Sequence, residues 1–298
     1  MSRKPRLLVA LVALFAAIAL VAAGCGGREA QTGDQQKKIT IGYISWDEDI
    51  AVSHLYKVLL ERKGYKPENV KLVELEAGPL YAGLGKGNID LFLDAWLPKT
   101  HSDYWQQYKS QVEDLGVWYD QATLNIAVPT YMSDVNSIAD LKGKEAQLGG
   151  KLTGIDPGAG ETRTVKNQVI PAYGLQSLQL QTSSSTAMLA SLDQAIKAHQ
   201  PIAVTLWHPH WAYAKYPIKD LADPKGAMGG PEQLHSVGRK NFSQDFPQVT
   251  SMVKKFHLDD KTLADLENTI NSAPKGQEDQ AARQWADQHP QVINSFAG

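Results

Sequence analysis

Three apolar runs in this 298-residue chain end on tryptophan: "KITIGYISW" on Trp46, "IDLFLDAW" on Trp96 and "IAVTLW" on Trp207. Each run has the apolar, partly β-branched make-up of a buried strand, and Pro209 breaks the third soon after its tryptophan. In an open parallel sheet, ligands bind outside the carboxyl ends of the strands. Three indoles placed there can surround one group. Their faces suit a quaternary ammonium, which carries charge but has no N–H to donate. Cation–π attraction is worth about 0.5–1 kcal/mol per ring when exposed and about 2 kcal/mol when desolvated.

A second stretch, "TGIDPGAGET" from Thr153 to Thr162, ends a strand at Gly154–Ile155 and enters a helix through a Gly-rich turn. Free backbone N–H groups at such a turn can hold an anion, although an ordinary β–α turn has the same composition. It lacks both G-x-G-x-x-G and a G-K-[ST] ending, so it is neither a dinucleotide nor a phosphate-loop fingerprint. With the tryptophans, it suggests a ligand with a cation at one end and a carboxylate at the other. The rival chemistry is "HPH", where His208 and His210 could serve a metal-dependent hydrolase. Pro209 and the lack of H-E-x-x-H or cysteine spacing weaken it, and no G-x-S-x-G elbow occurs. These histidines are expected to be hydrogen-bonded behind the cleft wall, with no metal, no cofactor and no catalytic residue. Trp105, Trp118, Trp211 and Trp285 are expected to be packing residues. Asp47, Glu48 and Asp49 fall in a helix's first turn, where acids favour the dipole, and that reading is preferred for them.

Stepping along the chain, strand-like and helix-like runs alternate. "ITIGYIS" is followed by a helical stripe of Val52, Leu55, Tyr56, Leu59 and Leu60 that stops at Gly64. "NVKLVEL", "LYAGLGKG" and "IDLFLDAW" complete a β-α-β-α-β series, which predicts an α/β fold with a largely parallel sheet. A second series runs from "LNIAVPTYM" through "KLTGID", "ETRTVKNQVIPAYG" and "QLQTS" to "IAVTLW". The last sixty or so residues read as helical. Two similar lobes with a ligand cleft between them are expected: residues 39–128 plus 236–298, and residues 129–235.

The N-terminus has an export layout, with Arg3, Lys4 and Arg6, then an apolar run, then small residues before Cys25. Cys25 is the only cysteine, so no internal disulfide can form. Residues 1–24 read as a signal peptide and 25–38 as a flexible polar tether. Beyond residue 24 the chain holds 27 basic against 32 acidic residues, a net charge of −5. No basic surplus exists to neutralise phosphates, so nucleic acid is not an expected partner.

"SWDEDIAVSH", "DAWLPKTH", "VPTYM", "GIDPGAG", "TLWHPHW" and "DPK" together resemble the glycine betaine/proline betaine binding proteins of bacterial ABC importers, the OpuAC family. The likeness runs from about Ile39 to the C-terminus. It implies a two-lobed, type II periplasmic-binding-protein-like fold that delivers its ligand to an ABC permease. It also implies an aromatic box of Trp46, Trp96 and Trp207. The family's carboxylate-binding amides map to Gly154 and Ile155, and an assisting histidine maps to His101. "VAAGC" is similar to the bacterial lipobox, with Ala22 where leucine is usual, which implies a lipid anchor at Cys25 on the outer face or in the periplasm. Leu206 stands where a small residue is usual. Choline-binding relatives place an aromatic residue where Leu124 stands, which argues against choline. They also carry an acid two positions after the first tryptophan, where Glu48 stands, which leaves choline or carnitine as alternatives.

Overall fold

The computed structural model describes residues 34–297. The expected signal peptide, Cys25 and most of the expected tether lie outside the described residues. Within them, no helix is long and apolar enough to cross a membrane.

Among the described residues nine strands, β1 to β9 in chain order, form one sheet: eight follow the order β2-β1-β3-β9-β4-β7-β5-β6, and β8 pairs with β4 off that path. In the first half, β1 (Ile39–Tyr43) pairs in parallel with β2 (Val70–Glu74) and β3 (Leu91–Leu97). All seven residues of β3 are buried, as expected of a central strand that is apolar except for Asp94. In the second half, β5 (Lys151–Thr153) pairs in parallel with β6 (Gln179–Gln181) and β7 (Val204–His208).

The largely parallel sheet expected from sequence is only part of the architecture, because two antiparallel strands join the halves. The eighteen-residue β4 (Val112–Pro129) pairs with β9 (Glu232–Arg239) as far as Ala122, then with β7 from Thr123 onward. Its tail also takes β8 (Ile218–Asp220). The boundaries expected at 128/129 and 235/236 therefore fall inside strands that continue across them. Only the "LNIAVP" end of β4 has strong strand patterning. Its charged first half, "VEDLG", gains its strand from pairing with β9 rather than from composition.

Helices cover the first half, notably Asp47–Arg62, which packs beside Glu278–Gln288. Phe256 joins the layers, with ring contacts to Tyr56 at 5.4 Å, Trp118 at 5.6 Å and Phe296 at 5.1 Å. Residues 160–173 form one helix whose middle turn, Val165–Val169, is π-helical. It enters just after β5, at the cleft.

Trp285 is fully buried in this C-terminal layer, donates to Asp265 Oδ2 at 2.7 Å and stacks on His289 at 4.2 Å. Trp285→Ala should cost about 3–5 kcal/mol in urea unfolding, the usual range for emptying such a site. Affinity for a cleft ligand should stay within about twofold in the same variant, since Trp285 lines no part of the cleft.

Candidate functional site

The chain delivers the three tryptophans to one place. Trp46 follows β1 and precedes the helix Asp47–Arg62, Trp96 lies in β3, and Trp207 lies in β7. All three line a single small cavity between the two halves of the sheet. Leu124 and Ile155 add apolar wall, Thr100 and Gly160 meet at its edge, and Glu48 and Glu161 supply carboxyl groups. The tryptophans are 2–5 % exposed, so their faces are already desolvated.

Each indole N–H ends on a carboxylate. Trp46 Nε1 donates to Asp156 Oδ2 at 3.1 Å, Trp96 Nε1 to Asp94 Oδ2 at 3.3 Å, and Trp207 Nε1 to Glu48 Oε2 at 2.8 Å. Two of these bonds cross the cleft reciprocally. Trp46 comes from the first half and its acceptor from the second, and for Trp207 the reverse holds. Beside them, Trp211 Nε1 donates to Asp47 Oδ1 at 2.6 Å, and the Trp211 amide donates to Glu267 Oε2 at 2.8 Å. At the far edge, Tyr104 Oη donates to the Gly158 carbonyl at 2.9 Å and Arg163 to the Thr100 carbonyl at 3.1 Å. The halves meet in a closed arrangement.

The three acids do stand in the first turn of the helix Asp47–Arg62, and they have further partners there. Asp47, Glu48 and Asp49 are all buried, and each has its own structural task. Asp49 takes the Ile44 amide at 2.7 Å and the Ser53 hydroxyl at 3.1 Å. Asp47 faces His210 Nε2 at 3.2 Å. Burial opposes its ionisation, but His210 and the donated hydrogen bonds hold its carboxyl below the usual range. Glu48 and Asp94 lie the other way: burial, then neighbouring acids, push both well above the usual carboxylate range. Burial also raises Glu161, whose oxygens face Thr205 and Asn125 without hydrogen bonds of ordinary geometry.

His101 stacks on Trp46 at 5.5 Å instead of lining the cavity itself. Its Nδ1 accepts from the Trp96 amide at 3.1 Å, which leaves a proton for the buried, unpartnered Nε2. Burial, helped by Arg163, lowers it to about 3, so the ring is neutral.

Gly154 requires a correction. Its amide donates to the Gln181 carbonyl at 2.8 Å, which uses it in the sheet, and it does not line the cavity. A side chain there would meet Leu180, so glycine serves packing. Ile155 does reach the cavity, and the helix start at Gly160–Glu161 reaches it as well. Sequence reading missed Thr100, Gly160, Glu161, Asp94 and Asp156. Asp94 did carry a signal, as an acid inside an otherwise apolar strand. Glu161 carried only the ambiguous one of an acid in a first helical turn.

The two histidines of "HPH" diverge. His208 bonds Asp220 at 2.7 Å and stacks on Tyr213, whereas His210 packs edge-on behind Trp207 at 4.8 Å. No group of three or more potential metal ligands occurs among the described residues.

Residues 37–288 match the model of the OpuAC family, the substrate binding domain of ABC-type glycine betaine transport systems. The chain belongs to this family. Its members are extracytoplasmic solute-binding proteins, transport components and not enzymes. A glycine betaine/L-proline-binding protein from Borrelia burgdorferi has a similar structure, with 32% identity and a TM-score of 0.81 over 87% of this chain and 96% of that one. Lactococcal OpuAC, closed on glycine betaine, is 32% identical with a TM-score of 0.80, over 88% of this chain and all of that one. The glycine betaine/carnitine transport binding protein of Listeria monocytogenes is 34% identical over 149 residues, about half the length of each chain. The fold is accordingly the two-lobed type II periplasmic-binding-protein fold expected from sequence.

Gly160 offers a direct test of closure. A Cβ there would overlap the Thr100 carbonyl oxygen, which belongs to the opposite half. Gly160→Ala should prop the halves apart, weaken ligand binding by more than about tenfold, and leave small-angle scattering of the ligand-saturated protein more extended than wild type.

Proposed function

We propose that this protein captures glycine betaine, or a close quaternary-ammonium osmolyte, in the box of Trp46, Trp96 and Trp207 and delivers it to an ABC permease. The observation that carries this reading is the convergence of three desolvated indoles on one cavity, each with its N–H turned away to a carboxylate. The hydrogen-bonding edge of every ring is occupied. What remains for a ligand is the face, the part of the ring that attracts a cation. The names of the family and of the Borrelia, lactococcal and Listeria relatives point to the same ligand class.

For the other end of the ligand, Ile155 and the helix start at Gly160 line the cavity, and His101 Nε2–H, on the ring stacked against Trp46, is a buried donor without a protein acceptor. A carboxylate there gains charge-assisted hydrogen bonds worth about 1.5–3 kcal/mol each, which a hydroxyl does not match. With Leu124 in the wall in place of a fourth ring, glycine betaine should bind about tenfold to a thousandfold more tightly than choline. Choline is the second reading, favoured by the carboxyl groups of Glu48 and Glu161 in the cavity wall. Cys25 is proposed to carry a lipid that holds the protein at the membrane's outer face.

Calorimetric titration with glycine betaine, proline betaine, choline and carnitine tests the assignment. Trp46→Ala, Trp96→Ala and Trp207→Ala should each weaken glycine betaine binding by about 1–3 kcal/mol, from lost cation–π and burial contributions. Unchanged affinity in any two of the three would remove the box.

A further inference from the structure

Glu232 is buried, and its carboxylate spends both oxygens on one loop. Oε2 accepts the amides of Lys99 at 2.7 Å and Thr100 at 2.9 Å, and Oε1 accepts the Thr100 hydroxyl. The loop, residues 98–101, carries the chain from β3 to the helix Ser102–Tyr108. Pro98 and Lys99 are exposed, so packing holds little of its first half. Yet the loop shapes the closed cleft. Thr100 lines the cavity, its carbonyl accepts from Arg163 at 3.1 Å, and Gly160 approaches that carbonyl too closely for a Cβ to fit between them. The backbone of Glu232 stands where the two halves of the sheet join. It pairs with Ala122 at the end of the β4–β9 ladder, and the next residue of β4, Thr123, pairs with His208 of β7. One buried carboxylate therefore ties the changeover between the halves to the loop against which the second half closes.

We propose that Glu232 is a positioning residue for ligand capture: it fixes residues 98–101 to the joining strands, so that closure brings Gly160 and Arg163 against Thr100 in one geometry. The inference rests on the quaternary-ammonium reading above. Glu232 does not line the cavity, so it acts on a ligand only through the loop. The contacts of Arg163 and Gly160 with Thr100 join the two halves and belong to the closed arrangement. With the loop released they weaken and the closed state opens sooner, while encounter with the open cleft is untouched. The loss then falls on the dissociation rate. It is the same for every ligand of the class, because no ligand contact is removed.

The test is stopped-flow tryptophan fluorescence with glycine betaine and with proline betaine, which gives both rate constants for each. Glu232→Met keeps the side chain's size but offers no oxygen to the three donors. Its dissociation rate should rise about tenfold or more, since two buried amides lose their acceptor. Its association rate should stay within about threefold of wild type. Thr100→Val keeps the shape of the loop and removes only the hydroxyl bond, so dissociation should rise by about threefold or more. In both variants the two ligands should lose affinity by the same factor. Far-ultraviolet dichroism shows whether each variant is folded, and if Glu232→Met is not, Thr100→Val decides. A wild-type dissociation rate in Thr100→Val and in folded Glu232→Met would overturn the positioning role, as would a loss confined to one ligand, while the box would stand. If neither ligand binds wild type, the quaternary-ammonium reading falls, and the inference with it.

Discussion

The structure depends on one recurring interaction, the hydrogen bond from an indole N–H to a buried carboxylate. A buried N–H without an acceptor costs about 1–3 kcal/mol, so each tryptophan must find one. Here the acceptors fix the ring planes, and they stand mostly on the opposite half of the molecule: Asp156 for Trp46, Glu48 for Trp207 and Asp47 for Trp211. Both halves must therefore meet before the rings take their final orientation. Closure and construction of the site are one event. A ligand that touches both walls favours the closed state by its differential affinity for it.

The same bonds explain why so many acids are buried beside an aromatic cavity. Burying carboxyl groups without cations is expensive, and burial pushes Glu48, Asp94 and Glu161 well above the usual carboxylate range. Asp47 is the contrast. It lies on the same helical turn, yet His210 and Trp211 keep it ionised. Adjacent residues are thus shifted in opposite directions because their partners differ.

Much of this was legible in the sequence. The apolar runs ending on Trp46, Trp96 and Trp207 located one cavity, because parallel pairing within each half sets the strand ends at the cleft between them. The α/β fold followed from alternating periodicity. The acids were not legible. "DED" after Trp46 reads as a dipole-capping turn, and only the packing of "HPHW" and β3 against it turns those side chains inward. Gly154 misled for a related reason: a glycine at a strand end marks close approach, but what approaches is Leu180. The antiparallel joining strands were missed because "EQLHSVGR" and "VEDLG" are polar, and their strand state comes from pairing with each other.

The central claim is that ligand and both halves assemble the box together, and distance measurement across the cleft mouth tests it most directly. Gln106, on the helix Ser102–Tyr108, and Lys166, on the helix of residues 160–173, are exposed and flank the Tyr104–Gly158 contact. With Cys25 replaced by Ser, spin labels at Gln106→Cys and Lys166→Cys report that gap by pulsed electron resonance. Saturating glycine betaine should collapse a broad or long distance distribution to one short, narrow distance. An identical distribution with and without bound glycine betaine would contradict the account.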